Sequence, residues 1–293
     1  MITAKGYCSG AGGMEIGAML AGITVIQSLD IDPKSIACLR NNPKYFSHNI
    51  LEKDIKDILV KSQPETDIVF CTYPCTKYST IADIHGCRTG DDLFLHCFRH
   101  IAIEKPEMYV IENVPGMKKF PVVMEAMTRL PDYYVNVFCP IKTTNWLPQE
   151  RDRLILIGTR KPFYIMDPSY SKRKRMKDII EKEPEYDMPD YVLSRIAGKY
   201  RDKPIIVDPS DPSAVAPTCV AHYSKDRGTR LVKDKKAEHG VRPFTIREYA
   251  RLQGFPDDFI FPNELDSYRM IGNAVPVPMG QWIGEQAIRY FNK

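Results

Sequence analysis

Apolar segments of strand length alternate with helix-like segments through the first half of the chain, and no other feature constrains the fold as strongly. The strand-like segments are KGYCSG, TVIQSLDID, TDIVFCTY, EMYVIENV and RDRLILIGT. Helical patterns cover Met14 to Ala21, PKSIACLRNN and LFLHCFRHIAIEKP, and Pro33 is suited to a first helical turn. Strands separated by helices of this length predict an α/β fold with a doubly wound, mostly parallel sheet.

The composition and the periodicity of the sequence change after about residue 161, and this change predicts a second, smaller domain. Prolines recur there, and both the strand period and the helix period weaken. Order returns at FTIREYARLQGF, where Thr245 and Glu248 form a capping-box pattern. We therefore expect a larger domain over 1–161, a smaller one over 162–243, a linking segment with a helix over 244–271, and a C-terminal helix over 272–293 that returns to the larger domain.

Charge, cysteine content and hydropathy bear on the partners of the protein and on the compartment in which it acts. The 293 residues carry a formal net charge of +4, which permits a polyanionic partner without requiring one. The N-terminal segment has no apolar core of a secretion signal, and no apolar run reaches membrane-spanning length. We therefore expect a cytoplasmic protein whose eight cysteines are reduced thiols, with no role at a membrane.

The glycine-rich stretch SGAGGMEIG lies between the first predicted strand and the first predicted helix, where a doubly wound sheet binds its cofactor. Gly10 and Gly12 fit the dinucleotide pattern, but Glu15 stands at the third glycine position, so an adenosyl cofactor without phosphates fits better. Asp30 ends the second strand at the spacing of an acid that bonds a ribose hydroxyl. Asp54 is a candidate acceptor for an adenine amino group.

A thiol follows the next strand directly. Cys75 comes after a proline at the end of TDIVFCTYP, and it is either a buried small side chain, half of a disulfide, a metal ligand or a nucleophile. The following strand ends in IENV, which brings Glu112 to the same sheet edge, and PQERDR offers Gln149, Arg151 and Arg153 before another strand. A thiol, a carboxyl group and guanidinium groups beside an adenosyl site favour covalent chemistry on a carbon atom.

Two histidines on the predicted third helix have a spacing that metal sites use. His96 and His100 are four residues apart, but no second ligand pair with zinc-like spacing follows them. The segment is typical of an amphipathic helix, so we expect no metal site. Arg99 on the same helix is expected to orient nearby carboxylates.

Taken together, these motifs resemble the DNA (cytosine-5)-methyltransferases of bacteria and phages. The resemblance runs in order through CSGAGG, PC, ENV, PQERDR, REYARLQGFPDDF and IGNAVP, and it covers nearly the whole chain except the middle segment. It implies the fold of S-adenosylmethionine-dependent methyltransferases. The 1–161 domain would then carry catalysis and cofactor, and the 162–243 domain would recognise the target.

The resemblance also implies a mechanism. Cys75 would attack C6 of a cytosine, Glu112 would hold the N3 edge and supply a proton, and Arg153, with Arg151 nearby, would hold the O2 side. The base would have to leave the duplex stack to reach these groups. The segment 76–92 would form a mobile lid over it.

S-adenosylmethionine is the implied cofactor, with S-adenosylhomocysteine as its product. The resemblance assigns its contacts to Tyr7, Ser9, Gly10, Ala11, Gly12, Gly13, Asp30, Ile31, Asp54, Ile55, Pro74, Leu93, Asn273 and Ala274. It assigns contacts with double-stranded DNA to Ser79, Gln149, Lys225, Arg227 and Arg230.

The sequence departs from the family pattern at several positions. Thr72 and Tyr73 replace the glycine and phenylalanine that usually precede Pro-Cys, and Thr76 replaces a glutamine. Cys8 stands where an aromatic residue commonly meets adenine, and Asp30 is shorter than the usual glutamate. These departures bear on cofactor affinity and lid closure rather than on the chemistry.

Two rival functions are open at this point: a tRNA cytosine methyltransferase of the same family and a catalytically inactive DNA-binding homologue. The first usually carries a Cys-Phe-Thr signature that is absent here, and the second is disfavoured because Cys75, Glu112 and Arg153 are all present. We expect a monomer that associates with the nucleoid when bound to DNA. The recognition sequence, and whether a restriction endonuclease accompanies the enzyme, are left open.

Overall fold

The computed structural model describes residues 1–74, 93–168, 173–198, 204–262 and 265–293. It divides into two compact units. The first comprises Met1–Lys142, Asp152–Pro168 and Val275–Lys293, and the second comprises Thr143–Arg151 and Ser169–Ala274. The functional roles given above to the two domains stay predictions.

The strands of the described residues are β1 (Thr3–Tyr7), β2 (Thr24–Asp30), β3 (Asn49–Glu52), β4 (Ile68–Cys71), β5 (Met108–Asn113), β6 (Tyr134–Lys142), β7 (Asp152–Thr159), β8 (Ile205–Val207), β9 (Arg230–Lys233) and β10 (Val241–Pro243). The helices are α1 (Gly13–Leu20), α2 (Pro33–Arg40), α3 (Leu93–Glu104), α4 (Pro121–Thr128), α5 (Asp190–Ala197), α6 (Ile246–Leu252), α7 (Asp266–Asn273) and α8 (Val277–Phe291).

The first unit is built on a seven-stranded sheet in the order β3-β2-β1-β4-β5-β7-β6. The pairs from β3 to β5 are all parallel, so their carboxyl ends lie at one edge. Strands β4 and β5 are buried throughout, as expected for parallel strands in the middle of a sheet. The predicted α/β fold with a mostly parallel sheet is confirmed.

Within this seven-stranded sheet, two strands and the direction of a third were not predicted. Strand β7 runs antiparallel to both β5 and β6, and β6 itself was missed, as was β3. Both missed strands lie at sheet edges and are only partly buried, with charged or polar residues among them. Their sequences therefore lack the continuous apolar run that marks a central strand.

Close backbone packing joins the first and last helices of this unit. A Cβ atom at Gly17 of α1 would stand 2.3 Å from the carbonyl oxygen of Val277, and one at Gly280 of α8 would stand 2.7 Å from that of Met14. Side chains at either position would force the helices apart. These two glycines thus let α8 pack directly against α1, the helix that follows the glycine loop.

The second unit contains the three-stranded sheet β10-β9-β8 and helices α5, α6 and α7. Its centre holds a cluster of three tyrosine rings, in which Tyr223 stacks on Tyr249 at 4.8 Å and Tyr268 packs edge-on against both. The predicted capping box is confirmed, because the Thr245 side chain accepts from the Glu248 amide and the Glu248 carboxylate accepts from the Thr245 amide.

Within the ranges described above, no helix combines the length and the apolar character needed to cross a membrane.

Candidate active site

The carboxyl ends of four parallel strands bring the predicted residues of the first unit to one edge of the sheet. Strand β1 ends at Tyr7, β2 at Asp30, β4 at Cys71 and β5 at Asn113. In sheets of this kind, ligands bind beyond this edge where neighbouring connections diverge. The glycine loop, the acidic residue of β2 and the carboxyl group of β5 are thus on a common side.

The glycine loop has the backbone conformation that its sequence requires. Gly10 has a φ of 55° and Gly12 a φ of 77°, which side-chain-bearing residues rarely adopt. The loop is anchored by two backbone hydrogen bonds, from the Ser9 amide to Leu29 and from the Gly12 amide to Ser9. A Cβ atom at Gly10 would have no atom of the described residues within 4 Å, so this glycine faces open space that a ligand can enter.

Asp30 ties the end of β2 to that loop. Its Oδ2 accepts a hydrogen bond from the Gly10 amide at 2.7 Å, and its Oδ1 accepts from the Asp32 amide at 2.9 Å. Burial raises the pKa of this carboxyl group, although both amides oppose the shift. Each oxygen has a second lone pair, so it can still accept a hydrogen bond from a ribose hydroxyl. Beside it, Ile31 is 63% exposed and offers an apolar surface.

The segment after β3 carries the next two candidates. Asp54 accepts from the Lys56 amide at 2.9 Å, while Ile55 is buried. Arg99 of α3 donates to the carbonyl oxygens of Ile55 and Ile58 at 2.8 and 3.0 Å. The expectation that Arg99 orients carboxylates was therefore wrong. Its guanidinium group instead holds the main chain of this segment in place.

Tyr7 differs from its predicted role. Its ring is fully buried and packs against His100 at 4.5 Å, and burial raises the pKa of its phenol group. The ring belongs to the apolar core and has no surface on which a ligand could stack. His100 is likewise buried, which lowers its pKa to about 4. Leu93, at the start of α3, is partly buried and packs against the same core.

Glu112 and Arg153 meet at the end of β5 and the beginning of β7. Nε of Arg153 lies 2.7 Å from Oε1 of Glu112, and both side chains are about one-tenth exposed. Arg153 also donates through Nη1 to the carbonyl oxygen of Asp152 at 2.7 Å. The antiparallel pairing of β5 and β7 makes this contact possible. A mostly buried carboxylate and guanidinium group are thereby held together with a small exposed face.

Two polar side chains to which the sequence analysis gave no role hold the segment leading to Cys75. Asn113 donates to the carbonyl oxygen of Tyr73 at 3.2 Å, and Thr72 donates to that of Cys8 at 2.9 Å. Ser9, a predicted cofactor contact, accepts from the Leu29 amide at 3.3 Å and so ties the glycine loop to β2. Polar residues placed immediately after buried strands are the available sequence signal for such contacts. Pro74, the last described residue of this segment, is exposed.

Some predicted site residues lie outside the described residues. These are Cys75, Ser79 and the segment 76–92 predicted as a lid.

In the second unit, Gln149 and Arg151 bind mainly to main-chain atoms. Arg151 donates to the carbonyl oxygens of Cys219, Gly272 and Ala274 at 2.8 to 3.0 Å. Gln149 is completely buried, donates to the Leu252 carbonyl at 2.7 Å and accepts from the Cys219 amide at 2.9 Å. These contacts correct the expectations of catalysis for Arg151 and DNA contact for Gln149, because both side chains stabilise the unit itself.

The remaining candidates of the second unit differ in exposure. Arg227 is buried, and its guanidinium group forms two parallel hydrogen bonds with the Asp187 carboxylate, which lowers the pKa of Asp187. The predicted DNA contact of Arg227 is therefore corrected to a structural ion pair. Arg230 is half-buried and Lys225 is exposed. Asn273 is exposed at the end of α7, whereas Ala274 is buried.

Comparison with protein families gives a match over nearly the whole chain. The model described as C-5 cytosine-specific DNA methylase matches residues 6–289. Among curated relatives, the chain is 28% identical to the type II methyltransferase M.Sau96I of Staphylococcus aureus, covering 97% of this chain and 75% of the relative. It is 25% identical to the type II methyltransferase M.Bsp6I of Bacillus sp. (strain RFL6), covering 97% of this chain and 98% of that relative.

Solved structures share the fold at lower identity. The methyltransferase EhMeth of Entamoeba histolytica superposes with a TM-score of 0.82 at 18% identity, covering 100% of this chain and 99% of that one. The Dnmt2 methyltransferase of S. pombe superposes with a TM-score of 0.81 at 19% identity, covering both chains completely.

Proposed function

The chain belongs to the C-5 cytosine-specific DNA methylase family, and from this premise we propose the reaction that it catalyses. It transfers a methyl group from S-adenosylmethionine to C5 of a cytosine in a short, specific sequence of duplex DNA. The transfer proceeds through a covalent bond between Cys75 and C6 of the base. The observation that carries this proposal is the Glu112–Arg153 pair, at the sheet edge that also holds the glycine loop.

The residues of the loop fit an adenosyl cofactor. Gly10 faces open space, Asp30 keeps lone pairs for ribose hydroxyls, and Ile31 offers an exposed apolar surface for a purine ring. Asp54 supplies an acceptor near the same edge. S-adenosylmethionine, when bound, supplies a methyl group attached to a positively charged sulfur.

The chemistry needs C5 of cytosine to become a nucleophile. The Cys75 thiolate forms a bond to C6, and the electrons of the C5–C6 double bond move through the ring toward N3. Glu112 donates a proton at N3, so the ring does not accumulate a full negative charge. Arg153, held by Glu112 and by the Asp152 carbonyl, presents its guanidinium group to the O2 side.

The adduct resolves by loss of the proton on C5. C5 takes the methyl group as the bond between the methyl carbon and sulfur breaks, which leaves S-adenosylhomocysteine. A base then takes the proton on C5, and the electrons of the C5–H bond restore the C5–C6 double bond. The Cys75 thiolate leaves C6, and the N3 proton returns to the Glu112 carboxylate. None of these groups can reach a cytosine that is stacked inside a duplex, so we propose that the base is flipped out of the stack toward Glu112 and Arg153. The segment 76–92 is proposed as the lid that closes over it.

We further propose that the second unit reads the target sequence. Lys225 is exposed and Arg230 is half-exposed, so both can contact phosphates or base edges. Bisulfite sequencing of a plasmid methylated by the enzyme would define the target. A short, ungapped sequence is expected, and a long, gapped one would contradict this part of the proposal.

The reaction is tested with labelled S-adenosylmethionine offered in parallel to duplex DNA and to tRNA. The label should appear in 5-methylcytosine after enzymatic digestion of the DNA, and Cys75→Ala should give none. Label confined to tRNA would identify the tRNA-modifying function instead. DNA binding without any transfer would identify an inactive homologue.

A further inference from the structure

Glu15 places a buried carboxyl group beside the glycine loop. This residue belongs to the first turn of α1, and its side chain is only 1% exposed. Its Oε1 lies 2.0 Å from the position that a Cβ atom on Gly6 would occupy. The Ser9 hydroxyl is near the same point and donates a hydrogen bond to the carboxyl group. The missing side chain at Gly6 of β1 thus makes room for the carboxyl group of Glu15.

The second oxygen of this carboxyl group lacks a donor. Across the described residues, Oε2 has no hydrogen-bond partner, although that atom is buried. A buried carboxylate with an unused acceptor is costly unless a donor or a cation completes its environment. Burial raises the pKa of Glu15 to about 7. The ionisable groups facing it are Asp30 at the end of β2 and the Cys8 thiol after β1, and neither supplies a positive charge.

The position of the group points to the amino-acid end of the cofactor. Strand β1 lies between β2 and β4 in the sheet. Asp30 at the end of β2 is proposed for the ribose, and Cys75 follows β4 in the chain, so we expect the part of the cofactor between these groups to lie near the end of β1. S-adenosylmethionine has two cationic groups there, an ammonium and a sulfonium. Only the ammonium group has N–H donors that could bond to Oε2.

We propose that the Glu15 carboxylate binds the ammonium group of the cofactor's amino-acid part. This proposal rests on the function proposed above. It assigns Glu15 to cofactor binding, where the sequence pattern gave it only as an interruption of the dinucleotide motif.

Two ligands that differ by the amino-acid part provide the test. S-adenosylhomocysteine carries the ammonium group, and 5′-methylthioadenosine lacks the whole amino-acid part but keeps adenine, ribose and sulfur. By titration calorimetry at pH 8, Glu15→Gln should weaken binding of S-adenosylhomocysteine by about tenfold or more, the loss expected for a charge-assisted hydrogen bond. Its affinity for 5′-methylthioadenosine should stay close to that of the wild type.

Asp30→Asn is the matched comparison, because it should weaken the binding of both ligands through the ribose that they share. If Glu15→Gln loses equal affinity for both ligands, or loses affinity for neither, the proposal is overturned and Glu15 is a structural residue. Failure of the wild type to bind either ligand would instead contradict the proposed function.

A measurement on the wild type keeps the proposal testable if Glu15→Gln does not fold. Ammonium binding favours the ionised carboxylate, so binding of S-adenosylhomocysteine near pH 7 should release protons. Calorimetry in buffers of different ionisation enthalpy detects this release. 5′-Methylthioadenosine should release none, and equal proton release by the two ligands would contradict the proposal.

Discussion

Nε of Arg153 lies 2.7 Å from Oε1 of Glu112, and this contact joins the ends of two strands that run in opposite directions. Both side chains are about nine-tenths buried, so each limits the conformations of the other. The carboxyl group that is proposed to donate a proton at N3 and the guanidinium group proposed for the O2 side are therefore positioned as one unit. Preorganised groups of this kind need little rearrangement during reaction.

Replacement of Glu112 tests its role as the proton donor. Glu112→Gln keeps a hydrogen-bonding side chain but cannot deliver a proton, so single-turnover methylation should slow by about 10²- to 10⁴-fold. Binding of S-adenosylhomocysteine and of DNA with an unpaired target base should persist. Glu125→Gln on the exposed surface of α4 is the matched control and should keep the wild-type rate. A wild-type rate in Glu112→Gln would remove this residue from the mechanism.

A mechanism-based trap tests Cys75. Duplex DNA with 5-fluorocytosine at the target should form an adduct that survives denaturing electrophoresis, because fluorine cannot leave C5 as a cation. The adduct should require S-adenosylmethionine and should disappear in Cys75→Ala. Cys71 is fully buried in β4, so the adduct should still form in Cys71→Ala. Peptide mass analysis that located the adduct at Cys71 would contradict the assignment.

Lys225 and Arg227 should respond differently to replacement by alanine. Lys225 is exposed, so its loss should weaken DNA binding and reduce the slope of log affinity against log salt by about 1, if it contacts a phosphate. Arg227 is bound to Asp187, so its loss should lower the free energy of unfolding by about 2 kcal/mol and leave the salt slope unchanged. Urea unfolding and binding titrations at several salt concentrations distinguish the two. An unchanged stability in Arg227→Ala together with a smaller slope would restore Arg227 as a DNA contact.

Glu15 should make the stability of the cofactor-free protein depend on pH. Its folded-state pKa of about 7 is above the ordinary value of 4.5, so ionisation costs more in the folded state than in the unfolded state. Stability should therefore fall as pH rises from about 4.5 to 7 and then level off, with a total loss of about 3 kcal/mol from this group. Glu15→Gln should be more stable than the wild type at pH 8, and this advantage should shrink at pH 5.

Urea unfolding of both proteins between pH 5 and pH 8 measures this difference. The exposed Glu125→Gln variant should follow the wild type throughout. A stability difference between Glu15→Gln and the wild type that does not change with pH would contradict the expected titration.

Features of the fold that depend on neighbouring residues could be predicted from the sequence. The central strands were found because β4 and β5 are continuous apolar runs, and the start of α6 was found because Thr245 and Glu248 satisfy each other within one turn. The glycine loop was found because positive φ angles at Gly10 and Gly12 need residues without side chains. In each case the physical cause lies within a few residues of its effect.

Only the tertiary structure determined which partners the long polar side chains bind. A guanidinium group needs acceptors, but its residue type does not say which ones. The three carbonyl oxygens that bind Arg151 are 68, 121 and 123 residues away along the chain, and the carboxylate that binds Arg227 is 40 residues away. The position of the Glu15 carboxyl group likewise depends on the space above Gly6. Local pattern thus specified the strands, the cap and the loop, whereas folding alone brought these distant partners together and decided which charged groups stayed exposed.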